Sequence, residues 1–295
     1  MDSSLLALGG ITLLAATVNG ALGYGFSSIT VPLALLFLAN RVLNPALILI
    51  EVPLNAYVLW VNRAEVGAVW RRCSPIIVGL VPGVIAGTMM VSTVNPNWLK
   101  FYTFLVLLPL ILLQAAGVRR AIRAERSAGI AFGVGVGVLY SVTTISGPPL
   151  AIALNNQGFA KKEFRAALGF VRLAESSMTA VAYLSAGLFV KPAFLLLPWI
   201  VPSVAIGVPI GAYLIRRMKA ETFRRICMSF DAWVVAFGVS KLLNDLKLVA
   251  GPGAYLVLVA VMVLDAWLLY RFFSAHEDGA SQTPAYARAE PARSD

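Results

Sequence analysis

Three ionisable residues, Glu51, Arg172 and Glu175, stand inside runs that are otherwise apolar. An ionisable side chain at the centre of a membrane span costs roughly 2.5–3.5 kcal/mol on an insertion scale, so it is kept for pairing, binding or moving protons. Arg172 and Glu175 lie one helical turn apart and share a helix face. That spacing fits a mutual ion pair that ties a bundle together. It equally fits an anion contact at Arg172 with a proton-responsive partner at Glu175. Glu51 has no charged residue within helical reach on its own run. It is therefore either neutral or paired with an arginine from another element, and its functional reading is proton coupling. Asp231 and Asp265 lie near basic loops and read as structural.

A second chemistry-bearing set sits in two breaks of the apolar pattern. The first, Val18 to Pro32, holds Asn19, Gly20, Gly23, Tyr24, Gly25, Phe26, Ser27, Ser28 and Thr30. The second, Tyr140 to Gln157, holds Thr143, Thr144, Ser146, Gly147, Pro148, Pro149, Asn155 and Asn156. Backbone that leaves the helical path within a membrane must be buried in protein or line a wet cavity. Paired breaks in two halves of a chain point to a transporter's binding site. Helix N-termini at such tips offer free N–H groups and the positive end of a dipole. The hydroxyls and amides add donors, while Tyr24 and Phe26 can wall an apolar moiety. The kit suits a small oxyanion. The candidate binding set is Asn19, Gly23, Tyr24, Gly25, Phe26, Ser27, Ser28, Thr143, Thr144, Ser146, Gly147, Pro148, Asn155 and Arg172, with Glu51 and Glu175 as proton-coupling residues. The competing reading has each hydroxyl satisfying local backbone. That reading is the stronger one for any single Ser or Thr, and the weaker one for two clusters together.

The elements that must position these residues are membrane spans. The 295 residues are 59% hydrophobic and 13% charged, with mean hydropathy +0.81, whereas a soluble domain carries about 25% charged residues. Nine hydrophobic stretches are read at 5–39, 42–62, 74–92, 98–117, 128–157, 166–186, 193–215, 226–244 and 252–270. The net charge of +10 belongs to topology, not to nucleic acid. Basic residues mark alternate loops, as the positive-inside rule expects. These are Arg63, Arg71 and Arg72; Arg119, Arg120, Arg123 and Arg126; Lys161, Lys162 and Arg165; Arg216, Arg217, Lys219, Arg224 and Arg225; and finally Arg271. The loops near 93–97, 187–192 and 245–251 are poor in charge and are expected outside.

Stretch 128–157 begins and ends on the basic side, so it must double back, with its tip at Ser146-Gly147-Pro148-Pro149. Stretch 5–39 is the matching hairpin, turning near Gly23-Tyr24-Gly25, with legs reaching about 27 and 21 Å at 1.5 Å per residue. The fold expected is an all-α polytopic membrane protein. It has two inverted-topology repeats, each a broken-helix hairpin plus three transmembrane helices, and one extra C-terminal helix. The boundaries are 1–120 and 121–248 for the repeats, 249–273 for the extra helix, and 274–295 for a disordered tail. Val81-Pro82 and Gly87 recur as Val201-Pro202 and Gly207, and Pro32 recurs as Pro149. Glycines spaced by four, Gly79, Gly83 and Gly87, then Gly129, Gly133 and Gly137, then Gly207 and Gly211, read as close helix packing. Internal prolines such as Pro53, Pro109 and Pro198 read as kinks.

Met1-Asp2-Ser3-Ser4 lacks the basic region of a cleavable signal, so the first apolar segment is expected to be retained. Cys73 and Cys227 are isolated and form no ligand or redox spacing. His276 sits in the polar tail. The sequence has no Walker-type loop, Ser-His-Asp arrangement or His/Cys cluster, and neither an enzyme nor a cofactor is expected.

With these motifs in hand, the chain resembles the sulfite exporter TauE/SafE family of membrane permeases over roughly residues 8–270. The resemblance rests on the glycine-rich break from Gly20 to Pro32. It rests also on Ser146-Gly147-Pro148-Pro149 followed by Lys162-Glu163-Phe164-Arg165-Ala166, and on the Pro82-Gly83 and Pro202 helices. It implies a secondary transporter that exports a small sulfur-containing anion, sulfite or an organosulfonate, across the inner cell membrane. Its N-terminus would lie outside and its C-terminus in the cytoplasm. The expected partners are that anion and the lipid bilayer, with a homodimer left open. Members of the family are richer in glycine at the first break, where this chain has Tyr24, Phe26, Ser27 and Ser28. That departure touches substrate choice more than fold. A channel, a carrier of another organic anion and a non-transporting scaffold are the alternatives.

Overall fold

The structure is a computed structural model that describes residues 2–22, 25–115, 126–156, 159, 161–214, 220–249 and 251–281. Gly23, Tyr24 and Gln157 lie outside the described residues, as do the basic residues Arg119, Arg120, Arg123, Arg216, Arg217 and Lys219, and the tail from 282. The side chains of Pro148, Asn155 and Asn156 lie outside them too.

Every regular element among the described residues is helical. The first half contains α1 (Asp2–Leu22), α2 (Phe26–Ala34), α3 (Asn40–Val61), α4 (Val66–Thr93) and α5 (Pro96–Ala115). The second contains α6 (Arg126–Thr143), α7 (Gly147–Asn156), α8 (Lys161–Ser185), the short α9 (Lys191–Phe194) leading into α10 (Leu197–Leu214), and α11 (Ala220–Asp245). The final helix, α12 (Leu256–Ser281), runs past the boundary expected at residue 273. Thus each half has a long helix, a break, a short helix and three further long helices.

Among the described residues, five stretches are long and apolar enough to cross a membrane: Ser3–Ala21, Asn40–Val61, Arg63–Thr93, Lys191–Leu214 and Gly251–Ser274. Pro96–Leu112 and Ser127–Thr143 are shorter apolar helices. The expected stretches 166–186 and 226–244 fall within α8 and α11, which carry the charged residues Arg172, Glu175 and Asp231. Those side chains are buried against other helices.

The hairpins are less even than their composition promised. α2 has 9 residues and α7 has 10, so each reaches only about 14–15 Å. That is about half of a 30 Å hydrocarbon layer, so the second leg of about 21 Å expected for the first hairpin is corrected to the shorter α2. Just past the end of α2 at Ala34, the next free carbonyls find cations. Lys100 Nζ donates to Leu35 O at 2.9 Å and Lys241 Nζ to Leu36 O at 3.5 Å. Positive charge at a helix C-terminus is favoured by the dipole.

The most extensive helix contacts cross between the halves: α4 packs on α6, and α1 on α10. Both pairs run parallel, and the glycines make them possible. A Cβ on Gly79 would lie 2.1 Å from Ile130 O, and one on Gly83 would lie 2.3 Å from Val134 O. On the other pair, a Cβ on Gly211 would lie 1.8 Å from Thr17 O, and one on Gly20 would lie 2.1 Å from Val208 O. Backbone carbonyls cannot yield as a side chain would. Gly79→Ala is therefore expected to destabilise the fold by about 1–3 kcal/mol through overpacking. Gly135→Ala, which meets open space, is the neutral control on the same interface's outer side. Equal melting temperatures for the two variants would contradict this packing.

α3 and α8 run in opposite directions. Asn55 Nδ2 donates to Arg172 O at 3.3 Å, while Leu59 lies beside Gly169. At the charge-poor end, Ile48, Val91, Leu99, Val142, Tyr183 and Leu188 close into a buried apolar cluster. Arg41 caps α4 there, donating to Val91 O and Ser92 O at 2.7 Å and to Val94 O at 3.1 Å. At the other end of the chain's fold, Arg225 and Asp265 pair at 3.0 Å and are joined by Ser229 at 3.2 Å, fixing α12 to α11. That is the structural role expected of Asp265.

Candidate functional site

Both breaks turn through left-handed backbone. Gly25, which precedes α2, has φ 109°, a conformation open to glycine. The second turn is made by Thr144 at φ 54°. A β-branched residue there is a true outlier and stores about 1–3 kcal/mol of strain. Its N–H donates to Tyr140 O at 2.6 Å and its hydroxyl to Thr143 O at 2.7 Å.

The tips deliver one hydroxyl each to a buried carboxylate. Ser27 Oγ donates to Glu51 Oε1, and Ser146 Oγ donates to Glu175 Oε1. The same contact is thus made twice: the serine at each tip reaches a glutamate on the helix that follows its hairpin. Glu51 lies midway along α3 and Glu175 near the middle of α8, so both tips sit at mid-height in the bundle. Arg172 joins the two halves, its Nη2 lying 3.2 Å from Glu51 Oε1. Tyr140 Oη donates to Glu51 Oε2 at 2.6 Å. Glu51, Arg172, Glu175, Ser27 and Ser146 are all buried.

Arg172 therefore takes its carboxylate from α3, not from its own helix neighbour Glu175. Of the two options that the Glu51 position left open, the arginine from another element is the one found. Hydrogen-bonding capacity remains unspent. Arg172 Nε and Glu175 Oε2 have no partner among the described residues, although both atoms are buried. The cluster holds two carboxyl groups and one guanidinium, so it carries one acidic function in excess. Burying an unpaired charge is costly.

The remaining candidates divide. Thr143 spends its hydroxyl on Leu139 O at 2.7 Å and accepts Ile145 N–H at 3.0 Å, so it serves the local turn. Thr144 does the same. Phe26 is buried in the main apolar core with Leu8, Ile29 and Leu43. Ser28 and Gly147 are buried beside the tips, and Gly25 is half-buried. The N-terminus of α7 is poorer in donors than a helix start usually is, because Pro148 and Pro149 have no N–H. Leu150 N–H is already spent on Ser146 O at 3.0 Å. The free backbone donors expected at both tips therefore belong mainly to α2. Asn19 sits apart, in a cleft of about 360 Å³ between α1, α3, α8 and α10, toward the basic end.

Tyr140 and Asn55 escaped the sequence reading. Asn55 is one turn from Glu51 on the same face, and that was its only signal. Tyr140 heads the second break but points across to α3. Tyr140→Phe removes one of three donors to Glu51 and is expected to cost about 1.5–3 kcal/mol, as for hydrogen bonds to charged groups. Calorimetric melting of the purified protein checks it, and an unchanged melting temperature would contradict the assigned bond.

The family described as "Sulfite exporter TauE/SafE" has a model that matches residues 8–237. The chain belongs to that family. The TauE/SafE match takes in both hairpins, every residue of the Glu51–Arg172–Glu175 cluster and most of α11, and it stops before α12. It ends earlier than the expected extent to residue 270. Membership makes this a multi-pass membrane protein of a transporter family whose members carry sulfite or related anions. Neither a curated protein nor a solved structure gives a match to the chain.

Proposed function

We propose that this TauE/SafE member is a secondary transporter that exports sulfite or an organosulfonate and couples the anion to a proton. Arg172 is the anion contact. The observation that carries the reading is its position: a buried guanidinium between two helix breaks, held by a carboxylate on the opposite half. An incoming oxyanion competes with Glu51 for Arg172. Two carboxylates and a bound monovalent anion around one guanidinium leave two negative charges in excess, and a sulfite dianion leaves three. Uptake of a proton on Glu51 or Glu175 reduces that excess as the anion binds. The N–H groups opening α2 and the hydroxyls of Ser27 and Ser146 complete the anion's coordination.

Alternating access comes from one inverted repeat rocking against the other. Support for inversion is that α3 and its counterpart α8 run in opposite directions, and that the α4–α6 contact becomes α10–α1 when the halves are exchanged. The cleft at the basic end and the apolar seal at the other fit a state open to the cytoplasm, with the N-terminus outside and the C-terminus inside. A homodimer is compatible with this plan.

Binding is tested by thermal shift of the detergent-solubilised protein with sulfite, alkanesulfonates and carboxylates. At 100 times its dissociation constant a ligand adds about 2.7 kcal/mol of stability, so a bound anion raises the melting temperature by a few degrees. For sulfite, the shift is expected to vanish in Ser146→Ala. A scaffold would show no shift with any anion, and that result would sink the transporter reading.

A further inference from the structure

The cleft that holds Asn19 lies in series with Arg172. Leu54 and Val58 continue the α3 face one and two turns beyond Glu51, and Leu168 and Arg165 continue α8 one and two turns before Arg172. At 1.5 Å per residue the cleft is centred about 10 Å from the guanidinium, toward the basic end. Its walls are apolar, formed by Leu54, Val58, Leu168, Val208 and Pro209. Its mouth is cationic. Arg165 borders both the cleft and an adjoining recess of about 670 Å³, where Lys162 also lies. Glu65 lines that recess as well and offsets part of the charge. Arg165 and Lys162 are exposed, and no ion pair engages either among the described residues.

A second observation marks the cleft as a place for a ligand. Asn19 lines it and is only 3% exposed, yet its Oδ1 has no hydrogen-bond partner among the described residues. A buried amide oxygen left unpaired is uncommon and calls for a partner. A wall of hydrocarbon, an unsatisfied amide and a cationic rim together fit an amphipathic molecule. Bare sulfite would use the rim and leave the walls idle.

We infer that this cleft is a second anion subsite, a vestibule that takes an organic anion with a short carbon body before it passes to Arg172. The acid group sits at Arg165 and the carbon body lies against Val58 and Val208. This deepens the transporter reading and rests on it for the second step, though not for binding in the vestibule itself.

The test is a series of straight-chain alkanesulfonates, from methane- to hexanesulfonate, against sulfite. Binding to the full-length protein is measured by calorimetry in detergent, and flux is measured in proteoliposomes. In the wild type, affinity is expected to rise with each methylene, by up to about fourfold per group fully buried. Val58→Ser should flatten that slope. Arg165→Gln, at an exposed position that should not disturb folding, should raise the half-saturation concentration several-fold, with a smaller effect on maximal flux. A wild-type affinity independent of chain length overturns the vestibule, and so does an unchanged half-saturation in Arg165→Gln. The central site is judged separately with Arg172→Gln. Loss of flux with chain-length-dependent binding retained supports both sites. Loss of flux from a protein that never showed chain-length dependence removes the vestibule alone. Undiminished flux in Arg172→Gln removes the central site, whatever the vestibule does.

Discussion

Arg172→Gln is expected to lower anion flux by at least about 30-fold, because truncating one partner of a buried, hydrogen-bonded charge pair costs roughly 2–5 kcal/mol. The same change leaves Glu51 buried without its cation, a situation that destabilises proteins by about 3–5 kcal/mol. Loss of flux could then be loss of fold. The double variant Glu51→Gln/Arg172→Gln separates the two. It removes both charges, so it should recover the melting temperature while flux stays lost. Arg172→Lys keeps the charge but not the planar fork and should retain only part of the activity. Recovery of flux along with stability in the double variant would mean that Arg172 holds the bundle together and does not meet the anion.

The second large effect is expected from Glu51→Gln alone. In this account Glu51 is the carboxylate that the anion displaces from Arg172. Two like charges 4 Å apart repel by about 4 kcal/mol at an effective dielectric near 20. Without the competing charge the anion should bind more tightly, by about tenfold or more, while net transport falls because release no longer has a carboxylate to drive it. The pH response follows the same logic. In the wild type, anion loading takes up a proton, so the half-saturation concentration should rise as the pH on the loading side rises. In Glu51→Gln that dependence should weaken or disappear. The groups facing Glu51 are Ser27 from α2, Tyr140 from α6 and Arg172 from α8. Glu175 is the other carboxyl group of the cluster, and Glu175→Gln is the comparison variant. A pH response in Glu51→Gln as steep as in the wild type, together with its loss in Glu175→Gln, would move the coupling role to Glu175.

Much of the architecture was legible because it depends on local chemistry. Glycine and proline within apolar runs cannot be ignored in a membrane, so Gly25 and Ser146-Gly147-Pro148-Pro149 marked the breaks. Glycines at every fourth position can only mean close approach, and Gly79, Gly83 and Gly211 duly meet backbone carbonyls. What escaped was decided between helices. The spacing of Arg172 and Glu175 says that they share a face, but not that another helix brings Glu51 nearer to the guanidinium. Tyr140 carried no sign that its hydroxyl would cross to α3. Phe26 reads from sequence as a residue of the break, and the first turn of α2 also packs it into the apolar core. The second leg of the first hairpin was overestimated since Leu35, Leu36, Phe37 and Leu38 continue the apolar run after the helix has ended. Hydropathy follows burial and does not record where helical hydrogen bonding stops.

The measurement that tests the central claim most directly is flux in proteoliposomes, comparing wild type with Glu51→Gln/Arg172→Gln, for sulfite, alkanesulfonates and carboxylates, with and without an imposed pH gradient. The account predicts saturable flux of a sulfur-containing anion by the wild type, faster when the loading side is acidic, and none by the folded double variant. Non-saturating flux that ignores the gradient, or equal flux in the two proteins, would contradict it.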